Sequence, residues 1–141
     1  MTMKKSSAFT LVEVLIVLAI IGSVLAFSVV GIAKFRNSLE YTNSVNQVLS
    51  DIKFTQQLAD TSSRTCRIEF KAGENVYSII QGAQLYRSCA VSGKIQFYGK
   101  TYFSFVSSGY TEVGGSGTLF LGGSTKIKKI VVSSRGRIRI E

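Results

Sequence analysis

Histidine, tryptophan and proline are absent from this chain of 141 residues, and cysteine occurs only twice. Without histidine, imidazole-based general acid–base chemistry and histidine-ligated metals are excluded. Two cysteines, Cys66 and Cys89, have neither the number nor the spacing of a structural zinc site, and no cofactor is implied. Proline would end or kink a helix, so no residue of that kind interrupts a long helical pattern here. Acidic side chains are also few: 8 Asp and Glu stand against 17 Lys and Arg, a net charge of +9. Such an excess favours acidic partners, nucleic acid or anionic lipid, without choosing between them. The length leaves room for one small domain and an N-terminal segment.

That segment is the most informative part of the chain. Lys4 and Lys5 precede a short polar stretch; Phe9 then opens an apolar run to Ala33 that carries one charge, Glu13. As a helix, residues 11–33 would measure roughly 35 Å, enough to cross a bilayer. Lysines in front of the span keep the leader cytoplasmic and send the bulk of the chain across. A carboxylate near the start of a membrane segment is unfavourable and asks for a partner. An ordinary secretory signal cut after Val24-Leu25-Ala26 is the alternative. Glu13 within the apolar region, and the length of that region, argue against it. Removal of residues 1–8 would take away Lys4 and Lys5 and lower the side-chain charge from +9 to +7.

Beyond the apolar run the texture is amphipathic. Phe35, Leu39, Val45, Val48, Leu49, Ile52 and Ala59 recur mostly at three- and four-residue steps, with charged and amide residues between them. The pattern predicts one helix over residues 9–60, apolar all round in its first half and one-sided in its second. Short β-branched or aromatic runs follow at 67–70, 76–81, 95–98, 102–106, 118–121, 126–133 and 137–140, with Ser134-Arg135-Gly136 as a tight connection between the last two. A sheet lying on the greasy stripe makes an α+β fold. In an oxidising exported compartment a Cys66–Cys89 disulfide is expected, contributing roughly 3 kcal/mol if unstrained, with two buried free thiols as the alternative.

The C-terminus carries the second charge pattern. Residues 126–141 hold Lys126, Lys128, Lys129, Arg135, Arg137 and Arg139 against one acid, Glu141. In a strand, Ile138 and Ile140 would face the core, and Arg137 and Arg139 would face outward together, about 6.6–6.8 Å apart. That is near the spacing of successive phosphates, which arginine binds through its planar fork. A solvated basic edge strand, guarded by charge against aggregation, is the bland reading; Glu141 and the terminal carboxylate partly offset Arg139. Gly93-Lys94 and Gly99-Lys100-Thr101 have the wrong spacing for a phosphate loop. Gly114-Gly115-Ser116-Gly117 reads as a flexible loop, and Tyr98, Tyr102, Phe103 and Phe105 as core and cross-strand pairs.

The stretch Lys4-Lys5-Ser6-Ser7-Ala8-Phe9-Thr10-Leu11-Val12-Glu13 resembles the class III leader of type IV pilins and pseudopilins. The resemblance implies prepilin-peptidase cleavage between Ala8 and Phe9, methylation of the new Phe9 amine, and pairing of Glu13 with that amine on a neighbouring subunit. Ala8 departs from the glycine usual before the cut. The organisation implied is a leader over 1–8, a transmembrane and filament-core helix over 9–34, and an exported globular domain over 35–141. The C-terminal half is similar to the FimT/GspH branch, through Phe105, the Gly109 turn, Gly117-Thr118-Leu119-Phe120-Leu121 and the ending from Ile130 to Ile140. FimT-type pilins of naturally competent bacteria carry a Gly-Arg-x-Arg motif that contacts DNA, and Gly136-Arg137-Ile138-Arg139 matches it. The resemblance therefore implies a minor pilin, not an enzyme, that binds DNA through Arg135, Gly136, Arg137 and Arg139 with help from Lys126, Lys128 and Lys129. The alternative is an H-type pseudopilin of type II secretion. Its implied partners are other pilins, prepilin peptidase, the inner membrane and DNA.

Overall fold

Helix α1 spans Leu11–Ser62 in the computed structural model, which describes residues 10–92, 95–123 and 126–141, the side chains of 27–31 and 33 apart. Thr10 caps it: the Glu13 backbone N–H donates to the Thr10 carbonyl at 3.0 Å and to its Oγ1 at 3.3 Å. At the other end Ser63 takes a left-handed conformation, φ 53°, which stops the helix without a glycine. The chain forms two compact units, Met1–Ser38 and Leu39–Glu141.

In the first unit the described helix surface from Val14 to Leu25 carries no charged residue. Leu11, Leu15, Leu18, Ile20 and Leu25 expose 56–76% of their surface. Among the described residues no helix is long and apolar enough to cross a membrane. The span expected over 11–33 includes the side chains of 27–31 and 33, which lie outside that set.

In the second unit the helix buries the expected stripe. Val45, Val48, Ile52 and Ala59 are buried, and Leu49 packs beside them, whereas Phe35 in the first unit and Leu39 here stay exposed. Tyr41 and Ser44 pin the same face by donating to the carbonyls of Leu121 and Ser92, each at 3.0 Å. The strands are β1 (Cys66–Phe70), β2 (Val76–Gln81), β3 (Gln84–Ala90), β4 (Gln96–Gly99), β5 (Tyr102–Phe105), β6 (Gly117–Gly122), β7 (Ile127–Val132) and β8 (Ile138–Ile140). They form two antiparallel sheets, ordered β3-β2-β1-β5 and β4-β6-β7-β8, where the sequence suggested one. Lys100 and Thr101 carry the chain between them. The Lys100 N–H donates to Thr118 of the second sheet, and the Thr101 carbonyl accepts from Phe70 of the first. One core serves both, because Phe97 of β4 packs its ring 5.1 Å from Phe70 and 6.0 Å from Tyr77. Strand β3 escaped sequence reading because it lies at a sheet edge with nearly every side chain exposed, so it has no alternation to detect.

The expected disulfide is corrected by the register. Cys66 pairs with Gln81 at one end of β1, whereas Cys89 pairs with Tyr77, which faces Phe70 at the other end. Four residues along and two strands across separate the cysteines by roughly 16 Å, far beyond the ~7 Å between Cα atoms that a bridge tolerates. Both thiols are free. Burial pushes the Cys66 thiol above its usual value, which keeps it protonated and unreactive.

Candidate nucleic-acid interface

The arginine hairpin is built from backbone upward. Ser133 and Arg137 close it: the Ser133 N–H donates to the Arg137 carbonyl at 2.9 Å, and the Arg137 N–H donates to Ser133 Oγ at 3.1 Å. Gly136, at φ 75°, supplies the left-handed residue of a three-residue turn. It is also buried, and a Cβ there would overlap the Gly109 carbonyl oxygen and sit 2.5 Å from Gln56 Nε2. Gln56, on the helix, donates to the carbonyls of Gly109 at 2.7 Å and Gly136 at 3.0 Å, tying both turns to α1.

From that anchor the strand alternates as expected. Ile138 and Ile140 pack against the core, while Arg137 and Arg139 are exposed. Arg139 faces Val131, and Lys129 exchanges backbone hydrogen bonds with Glu141, so Lys129, Arg137, Arg139 and Glu141 share the outer face of the second sheet. Lys129 Nζ and Glu141 Oε2 are 2.6 Å apart. The hydrogen bond and charge of Lys129, helped by Arg139, hold the Glu141 carboxyl below its usual range. Arg135 is exposed in the turn itself. The other expected contributors stand apart. Lys128 pairs with buried Leu121 and so belongs to the opposite side of β7, at its exposed end. Lys126 accepts from Gly123 beyond the start of β7, some 20 Å along the strand from the arginine turn.

At the N-terminus, Ala8 and Phe9 lie outside the described residues, and Glu13 occupies the first turn of α1. Tyr98 is the cross-strand partner of Phe120 and is 48% exposed on the outer face, whereas Phe103 and Phe105 are buried in the core. Among the described residues no cluster of His, Cys, Asp or Glu could hold a metal.

Residues 3–29 match the prokaryotic N-terminal methylation motif. The fold of the chain is that of the type IV minor pilin FimU of Pseudomonas aeruginosa, with TM-score 0.64 and 15% identity over 76% of this chain and 92% of that one. It is equally similar in kind to the minor pseudopilin EpsH of the Vibrio cholerae type 2 secretion system, with TM-score 0.60 and 13% identity over 72% of this chain and 96% of that one. The chain joins a prepilin-type methylation motif to the fold of minor pilins and pseudopilins. No curated protein matches the sequence.

In this chain the residues without a recognised local signal are those that hold the sites in place. Thr10 lies three residues before Glu13, a capping-box spacing that was legible. Gln56 had no local signal, because its partners are 53 and 80 residues away. The same is true of Asp51, which accepts from the buried Tyr77 hydroxyl at 2.5 Å and pairs with Arg87 at 2.5 Å, joining β2 and β3 to the helix. Burial first, then the hydrogen bond and charge of Asp51, raises the Tyr77 hydroxyl far above the ordinary phenol range.

Proposed function

We propose that this protein is a minor pilin of the FimT type that binds DNA without sequence preference for uptake in natural transformation. The observation that carries this reading is the outward pair Arg137 and Arg139 beside Lys129 on one sheet face, anchored to the helix through Gly136 and Gln56. Arginines two residues apart on a strand, about 6.6–6.8 Å along the backbone, suit successive phosphates. Such contacts position a protein on nucleic acid without reading bases. Lys126 and Lys128 are secondary in this reading, since neither shares the arginine face.

The N-terminus fits the same assignment. The chain enters the inner membrane by the Sec route with its C-terminal domain exported. Prepilin peptidase cuts between Ala8 and Phe9 and methylates Phe9. The apolar helix surface from Leu11 to Leu25 then meets lipid and, in the filament, neighbouring pilins, with Glu13 pairing to a neighbour's Phe9 amine. The role is structural and ligand-binding rather than catalytic.

Gel shifts and salt titrations of the full chain in neutral detergent test the DNA assignment. One domain offers a handful of phosphate contacts, so duplex affinity should lie on the order of 10⁻⁴ to 10⁻⁶ M near physiological salt, and removing one cation from the set should flatten the log–log salt dependence by about 0.9. Arg137→Gln with Arg139→Gln should weaken binding to all sequences alike. If the wild type binds no DNA at low salt, or if both proteins show one salt slope, the H-type pseudopilin reading replaces this one.

A further inference from the structure

The outer face of the second sheet carries two aromatic rings in addition to its cations. Tyr98 on β4 and Phe120 on β6 are register partners, 48% and 39% exposed. Their rings lean apart, each over a glycine of the facing strand. A Cβ on Gly122 would sit 2.8 Å from Tyr98 Cε2, and one on Gly99 would sit 2.9 Å from Phe120 Cδ2. Tyr98 is held further by donating its hydroxyl hydrogen to Gln96 Oε1. Covering glycine accounts for the inner side of each ring. It leaves an open side on both, presented to solvent on a rigid sheet. Phe120 faces Lys129 directly, and Arg139 lies one strand beyond.

We infer that this face binds single-stranded nucleic acid, with bases stacked on Tyr98 and Phe120 and the backbone phosphates held by Lys129, Arg137 and Arg139. The inference rests on the DNA-binding reading above and names the form of DNA that the same site takes. Single-strand binders combine a cationic track with aromatic platforms, because every base has a π-face whatever its sequence. The spacing suits that arrangement: β6 to β8 is two strand separations, about 10 Å, and Lys129 stands between the rings and the arginines. A strand lying across the sheet would place bases over β4 and β6 and phosphates along β7 and β8. A duplex hides its base faces and could use only the cations. Four-stranded antiparallel sheets elsewhere stack two or three bases on aromatic side chains in this way. Glu141 lies on the same face and occupies Lys129 in the free protein, so bound phosphate must displace it.

The test uses the full chain in neutral detergent and three probes of equal length: an oligothymidylate, its abasic counterpart with the same phosphates, and a duplex. Fluorescence anisotropy of labelled probes gives the affinities. The wild type should bind oligothymidylate at least 10-fold more tightly than the abasic strand, since each stacked base contributes roughly 5- to 150-fold. Equal affinities would overturn the inference without any variant. Tyr98→Thr with Phe120→Thr should remove that preference and leave duplex affinity within about twofold; equal weakening on all three probes would also overturn it. Arg137→Gln with Arg139→Gln reports on the underlying reading separately, because it should weaken single strand and duplex together. If the arginine variant changes nothing while the threonine variant abolishes the base preference, stacking stands and the arginine assignment fails.

Discussion

Replacing Gly136 by alanine should damage the arginine hairpin from inside the fold, and two effects combine there. A non-glycine residue in the left-handed region costs about 1–2 kcal/mol. The added methyl group also has no space: it overlaps the Gly109 carbonyl and comes within 2.5 Å of Gln56 Nε2. Relief requires moving backbone and giving up one or both Gln56 hydrogen bonds, each contributing about 0.5–1.5 kcal/mol. The total expected for Gly136→Ala is about 2–4 kcal/mol. Gly73 provides the control, because at φ 76° it has nothing within 4 Å of a Cβ; Gly73→Ala should lose only about 1–2 kcal/mol. Thermal unfolding of both variants, followed through the tyrosine signal, compares them. In a domain of this size each kcal/mol corresponds to a melting shift of about 4–8 °C. Equal destabilisation of the two would show that the clash at Gly136 relaxes freely and that Gln56 does not fix the turn. Gly136→Ala should also weaken DNA binding with all its arginines present.

Asp51→Ala should destabilise the second unit by about 1–3 kcal/mol, because the buried Tyr77 hydroxyl loses its acceptor; a variant whose chemical denaturation matches wild type within about 0.5 kcal/mol would remove that role. Quantitative thiol labelling under denaturing, non-reducing conditions should find both cysteines, with Cys66 slow to react in the native protein and Cys89 faster; absence of labelling would restore the disulfide. Glu141→Gln should free Lys129, tighten DNA binding a few-fold and steepen its salt dependence by about 0.9, and an unchanged slope would show that Lys129 does not bind phosphate. The folded Glu141 carboxyl titrates below its usual value, so the stability it contributes is present above the ordinary carboxylate range and is lost as pH falls through that lowered value; the glutamine variant should lack this acid-side component in a melting-versus-pH series. Intact mass of the membrane-extracted chain should give a methylated Phe9 start, whereas a start at Phe27 would remove the filament assignment. Glu13→Ala should insert but assemble poorly, as read by pilus fractionation.

Much of the molecule was legible because its signals are local. The helix showed as an uninterrupted 3.6-residue stripe, and Val45, Val48, Ile52 and Ala59 lie buried where that stripe placed them. The alternation Arg137, Ile138, Arg139, Ile140 fixed which side chains face out, since side chains in a strand have a strict two-residue period. The disulfide failed for the opposite reason: compartment and cysteine count bear on whether a bridge is permitted, while register decides whether the sulfur atoms meet.

The amino-acid sequence by itself determined the N-terminal methylation motif, the helix, most of the strands and the basic ending, because each is written in neighbouring residues and their periodicity. Tertiary structure alone decided the division into two sheets, the distance between Cys66 and Cys89, and the partners of Gln56. It also separated Lys126 and Lys128 from Lys129 and set Tyr98 and Phe120 over bare glycines on the arginine face. These depend on strand pairing between residues far apart in the chain, and a one-residue change of register would turn every such side chain to the opposite face.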